Sequence, residues 1–199
     1  MKLSFPVMDE SINEFFSSVV ASDLRTRIAP MAPREREEAV LAVVREEIKK
    51  IGGIPFTFRF RSSEGGGTSH HLVFTSKEPK GVGIMKRLMA KVSSEQFDGV
   101  GNFEFDPKSR GGFNLPLFSP LVSVADHLLE SYAGQTLSFS DLVKHEAAEP
   151  HTDTNLRDAV LLLEEEFRID VDPPATLRRK QSGGTKRTLP GNTILRFPK

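Results

Sequence analysis

The chain has no cysteine and no tryptophan, and one tyrosine stands against fifteen phenylalanines. Without cysteine, disulfide scaffolds, thiolate zinc sites, iron–sulfur clusters and cysteine nucleophiles are excluded. The absence suits a reducing compartment, so a cytoplasmic location is expected. No apolar run approaches the roughly 20 residues a membrane helix needs. The stretch "MKLSFPVMDESINEFF" holds one lysine and no apolar signal core, so no membrane partner is expected. The formal net charge over 199 residues is zero, which removes any global pull toward nucleic acid. Such binding must come from a local patch. With 38% hydrophobic and 27% charged residues, the chain reads as one or two small folded domains with cores of phenylalanine and aliphatics.

Hydrophobic periodicity orders the first half. "KLSFPV" (2–7) reads as a short strand, and Ile12, Phe15, Phe16, Val19 and Val20 recur at helical spacing over 9–24. A loop at 25–33 carries two prolines. Residues 34–53 form the clearest helix, with Ala39, Val40, Val43, Val44 and Ile48 on one stripe, Pro33 before it and Gly52–Gly53 after it. In "IPFTFRFRSS" (54–63), Phe56, Phe58 and Phe60 alternate with polar residues, and "HHLVFTS" (70–76) pairs with it as a hairpin. A helix follows at 81–94. Its inner side is read as Val82, Met85, Leu88, Met89 and Val92, with Lys86, Arg87 and Lys91 elsewhere. Residues 95–118 hold glycine and proline and few helical signals, so they read as a linker containing the domain boundary.

The second half runs helix, helix, helix, hairpin. "SPLVSVADHLLESYAGQ" (119–135) is the first helix, "SFSDLV" starts a second with Ser138 or Ser140 as cap, and "TDTN" caps a third over 151–169. "IDVDPP" and "NTILRF" pair as strands. This is the order of a winged helix. The expected fold is α/β or α+β, with an incomplete α/β lobe (1–94), a linker (95–118) and a winged-helix domain (119–199).

The segment "FTFRFRSSEGGGTSHHLVFTSKEPKGVGIMKRLMAKV" resembles the three-Cys-motif partner family (TcmP) in Leu72, Val73, Phe74, Thr75, Pro79, Lys80, Gly81, Met85, Lys86 and Met89. The C-terminal part, from "SFSDLVKHEAAEP" to "TILRF", is also similar. The resemblance implies the back half of a class I methyltransferase-like sheet, ending in an antiparallel hairpin, followed by a winged helix. It further implies a protein partner, in a mobile-element or defence setting. The cofactor half is not in the sequence. "GGIPF" leads from a helix into a strand, "GVGIMK" lacks a third glycine and "EGGG" sits in a hairpin loop, so no strand ends in the required Gly-rich turn. No cofactor is expected in this chain; S-adenosylmethionine enters only if a second chain completes a methyltransferase, which is the alternative function. The chain shows no complete catalytic motif.

Five histidines are present: His70, His71, His127, His145 and His151. His70 and His71 point to opposite faces of a strand, and His127 beside Asp126 is an isolated pair, so no metal site is expected. No G-x-S-x-G elbow occurs. Asp9 and Glu10 follow the first strand, where they either face a ligand site at its C-terminal end or, as the favoured reading, start a helix at its positive end. Ser76, Lys77 and Lys80 precede a helix and are candidate anion-binding residues, but the loop fits no phosphate pattern and serves better as a strand-to-helix corner. The stronger signal is "RRKQSGGTKR". Arg178, Arg179, Lys180, Lys186 and Arg187 surround Gly183–Gly184 at the wing tip, where a winged helix reaches phosphates. Thr152, Thr154, Asn155 and Arg157 begin the recognition helix, with Asn155 and Arg157 as nucleic-acid contacts. Asp153, Asp158 and Glu164 to Glu166 oppose DNA. The expected function is a nucleic-acid-binding or adaptor protein that works with a partner and contacts DNA through the wing.

Overall fold

The computed structural model describes residues 16–63, 67–94, 96–97, 100–108, 119–180 and 187–199. The strand expected at 2–7, Asp9, Glu10, Ile12, Phe15 and Lys186 lie outside the described residues. The chain is a mixed α/β protein of the α+β kind. It divides into two compact units, residues 1–52 and 53–199.

The first unit contains α1 (Ser18–Ile28) and α2 (Pro33–Lys50). Ser17 caps α1, its hydroxyl accepting from the Val20 N–H. The helix runs through Arg25 to Ile28, assigned to a loop from sequence, because the next proline is Pro30 and no backbone donor is lost before it. Ala21 and Leu24 are buried against Val40, Val43 and Val44, while Val19 faces solvent instead of the inner stripe. In α2, Pro33 takes the first turn and the Glu35 carboxylate accepts from the Ala32 N–H at 2.8 Å. Gly52, at φ 76°, closes it with an N–H to the Lys49 carbonyl.

The second unit opens with β1 (Ile54–Arg61) and β2 (Thr68–Ser76), antiparallel, with Phe56 opposite Phe74 and Phe58 opposite Leu72. Then come α3 (Pro79–Val92), β3 (Gln96–Phe97), β4 (Val100–Gly101) and β5 (Glu104–Phe105). β5 pairs parallel with β1, giving the order β2-β1-β5. Phe56, Phe58, Val82, Met89 and Phe103 form the core of this part. Leu88 and Val92, expected inside α3, are exposed, and Lys86, expected outside, is 2% exposed.

Beyond it lie α4 (Pro120–Ser131), β6 (Thr136–Ser138), α5 (Phe139–His145), α6 (Asp153–Glu165), β7 (Asp170–Asp172) and β8 (Ile194–Arg196). The strands form an antiparallel sheet in the order β6-β8-β7, with Leu137, Leu195 and Val171 in register across it. The sequence predicted only two of these strands. β6 runs straight into α5, and its last residue, Ser138, is the cap of that helix, so the segment reads as a helix start. Ser138 caps α5 through the Asp141 N–H, and Thr152 and Asn155 form a capping box on α6. Val124, Leu128, Leu142, Leu156, Val160 and Leu163 fill the core under the sheet.

The boundary predicted within 95–118 falls inside this unit, because α3 is docked onto the C-terminal helices. The Lys86 Nζ donates to the main-chain carbonyls of Glu146 at 2.8 Å and His151 at 3.1 Å. Arg87 pairs with Asp153 at 3.0 Å. Burial pulls the Lys86 ammonium down to a pKa of about 8, against the carboxylates of Glu146, Glu149 and Asp153, which favour its charge.

Candidate nucleic-acid interface

The connection from β7 to β8 is built from α6 outward. Glu164, on the last turn of α6, accepts from the Ala175 N–H at 2.9 Å and pairs with the Arg178 guanidinium. Arg178 also donates to the Thr188 carbonyl at 3.2 Å and is 4% exposed. Its neighbours then pair across the connection. The Thr188 N–H donates to the Arg179 carbonyl at 2.8 Å, and Lys180 bridges Arg187 in antiparallel register. The Arg187 guanidinium donates back to the Arg178 carbonyl at 3.0 Å.

This geometry sorts the basic cluster. Arg179 and Lys180 are exposed, and Arg187 is half-buried at the base. Arg178, predicted as a phosphate contact, is turned inward. A fully desolvated guanidinium needs a partner, and the Glu164 carboxylate supplies it. Lys186 lies outside the described residues.

The start of α6 is sorted likewise. Asn155, predicted as a nucleic-acid contact, is 1% exposed, and its Oδ1 accepts from the Thr152 N–H and hydroxyl. Arg157 lies over the Phe139 ring at 5.4 Å, a cation–π contact that holds it against α5. Thr154 is exposed. Further along, Asp158, Glu165 and Glu166 leave the outer face of α6 acidic, while Glu164 is turned toward Arg178.

Below that face lies a groove of about 790 Å³, lined by Leu121, Leu161, Leu162, Phe167, Ile169 and Pro174. Asp158, Glu164, Glu165, Asp170 and Arg187 are its charged lining residues. Phe167 is unusual. The Phe167 N–H donates to the Glu164 carbonyl and the Arg168 N–H to the Leu163 carbonyl, which closes α6 as a Schellman motif. That motif places Phe167 at φ 57°, where glycine is favoured, and leaves its ring 95% exposed. With almost no burial to lose, Phe167→Gly is expected to raise the unfolding free energy by about 1 kcal/mol in a urea titration.

At the strand-to-helix corner, the Ser76 hydroxyl is engaged within the turn. The Ser76 hydroxyl accepts from the Glu78 N–H at 3.0 Å and donates to the Glu78 carbonyl at 3.1 Å. A Cβ on Gly81 would stand 2.8 Å from the same oxygen, so Gly81 is there to let the serine close the turn. Lys77 and Lys80 are exposed on either side.

Sequence reasoning missed a polar centre between α4 and the start of α6. The His127 Nε2 lies 3.3 and 3.2 Å from the two Glu146 oxygens, and the Tyr132 hydroxyl donates to Glu146 Oε1 at 2.8 Å. The His127 and His151 rings are 5.3 Å apart. Burial pushes the His151 pKa down to about 4; Glu146 opposes the shift, while His127 and Lys86 add to it and the Pro150 carbonyl works weakly the other way. The residues sit at 127, 146 and 151, a spacing that carries no signal along the chain. No protein-family model matches the chain, and neither a curated protein nor a solved structure matches it.

Proposed function

We propose that residues 119–199 are a winged-helix module that contacts the phosphate backbone of DNA through its wing, in an assembly with a partner protein. The supporting observation is the order α4-β6-α5-α6-β7-β8 with the sheet order β6-β8-β7, together with the outward placement of Arg179 and Lys180 on the β7–β8 connection. A winged helix offers two surfaces to nucleic acid, the third helix and the wing. The acidic outer face of α6 disfavours the first, so the contact falls to the wing and reads backbone rather than sequence.

The double variant Arg179→Glu, Lys180→Glu is expected to weaken binding to a labelled duplex at low salt by at least about tenfold, since two phosphate contacts are replaced by repulsion. Fluorescence anisotropy checks this. Binding equal to the wild type would remove the reading.

Protein docking is the second reading, favoured by the groove beside α6. An exposed aromatic held at a backbone angle that disfavours it is retained at a cost in stability, which points to use of that surface. Apolar lining residues with Asp158, Glu165 and Asp170 against the base Arg187 suit a basic amphipathic segment. β2, which among the described residues pairs on one side only and exposes Leu72, supports a partner as well. The likeness to the three-Cys-motif partner family agrees with an assembly. A methyltransferase subunit completed by a second chain has less support, because β1 and β5 share only two parallel residue pairs and the Gly-rich stretch after β1 leads into β2 rather than into a helix. Calorimetry of the isolated chain with S-adenosylmethionine is expected to show no heat.

A further inference from the structure

We propose that His127, Glu146 and His151 form a binding site for a divalent cation of the zinc type. One nitrogen from each histidine and one Glu146 oxygen all lie within 4.8 Å of one another. Ligand atoms bound tetrahedrally to zinc at about 2.0–2.1 Å are about 3.3 Å apart. The His127 Nε2 and Glu146 Oε2 already stand 3.2 Å apart. At that spacing the pair is a hydrogen bond when Nε2 carries a proton and a chelating edge when it does not. His151 has to approach by a side-chain adjustment of up to about 1.5 Å, the difference between 4.8 Å and the tetrahedral spacing of about 3.3 Å.

Three further features fit a ligand set. The His151 Nδ1 is buried without a hydrogen-bond partner, a cost that coordination would relieve. The Ser131 hydroxyl sits 3.4 Å from the His127 Nδ1, on the side of the ring away from Glu146, where a metal-bound imidazole is normally oriented by a second group. The Tyr132 hydroxyl holds one Glu146 oxygen, which fixes the carboxylate. Two imidazoles and a carboxylate favour zinc, cobalt or nickel over calcium or magnesium. Lys86 is the adverse charge. Its Nζ is committed to two carbonyls, and the Glu146, Glu149 and Asp153 carboxylates act on it. Bound there, the ion cross-links α4 to the segment between α5 and α6, with a fourth position left for water.

The test uses the full chain stripped with EDTA and titrated with zinc chloride by calorimetry, with cobalt(II) absorption as a readout of nitrogen–oxygen ligation. Expected are one equivalent of zinc, visible cobalt bands of a four- or five-coordinate ion, and a higher melting temperature with zinc. His127→Gln and His151→Gln should each weaken zinc by at least about tenfold, and His70→Gln should not. Because His127 is partly exposed, His127→Gln keeps the fold, which circular dichroism verifies. Absence of a saturable equivalent, or wild-type affinity in His127→Gln, would overturn the site.

Discussion

Replacing Arg178 with alanine is expected to lower the unfolding free energy by about 3–5 kcal/mol, while Arg179→Ala changes it by no more than about 0.5 kcal/mol. The two arginines are adjacent in sequence and opposite in environment. The Arg178 side chain is 2% exposed and lies against Glu164, itself 14% exposed. Taking the guanidinium away leaves a carboxylate in a poorly solvated position. It also frees the Thr188 carbonyl, which Arg178 now satisfies. A second substitution separates charge from packing. Arg178→Leu combined with Glu164→Leu leaves no lone charge and should recover a large part of the loss. Recovery will be incomplete, because Glu164 also accepts from the Ala175 N–H. Urea denaturation of the three variants checks all of this. An Arg178→Ala protein of wild-type stability that has lost duplex binding would return Arg178 to the contact surface.

The second large effect is on pH. His151 in the folded protein titrates near 4, depressed first by burial, against about 6.5 in an unfolded chain. Between those values the unfolded state binds more protons, so stability rises with pH. The His151 contribution is therefore complete above about pH 6.5 and is lost as pH falls toward 4, by about 3 kcal/mol in all. Carboxylates titrate in part of the same window, so the measurement is a difference. With EDTA present, the stability of the wild type should fall more steeply from pH 6.5 to 4.5 than that of His151→Gln. Parallel curves would show that the ring is solvated.

Signals confined to one turn or one strand were legible in the sequence. "TDTN" announced the capping box of α6, "SFSD" the Ser138 cap, and alternating phenylalanines the hairpin. Pro33 and Gly52 marked the ends of α2. What failed depends on contacts between distant residues. Lys86 lies four residues after Val82 and three before Met89, on the buried stripe by helical geometry. Its charge argued for the surface because the two carbonyls that receive it are about sixty residues away. Arg178 looked like its basic neighbours for the same reason, since Glu164 sits on a different element. Asn155 was read for its amide, and the cap used that amide first. The metal-ligand set draws one residue from α4 and two from the α5–α6 segment, and only the packing of these elements joins them.

The salt dependence of duplex binding tests the wing most directly. Two to four phosphate contacts, from Arg179, Lys180, Arg187 and Lys186, predict a slope of log K against log salt of about −2 to −4. In Arg179→Ala, Lys180→Ala the slope should fall in magnitude by about 2, uniformly across unrelated sequences. A slope near zero in the wild type, or one unchanged by the double variant, would contradict the wing as the site of contact.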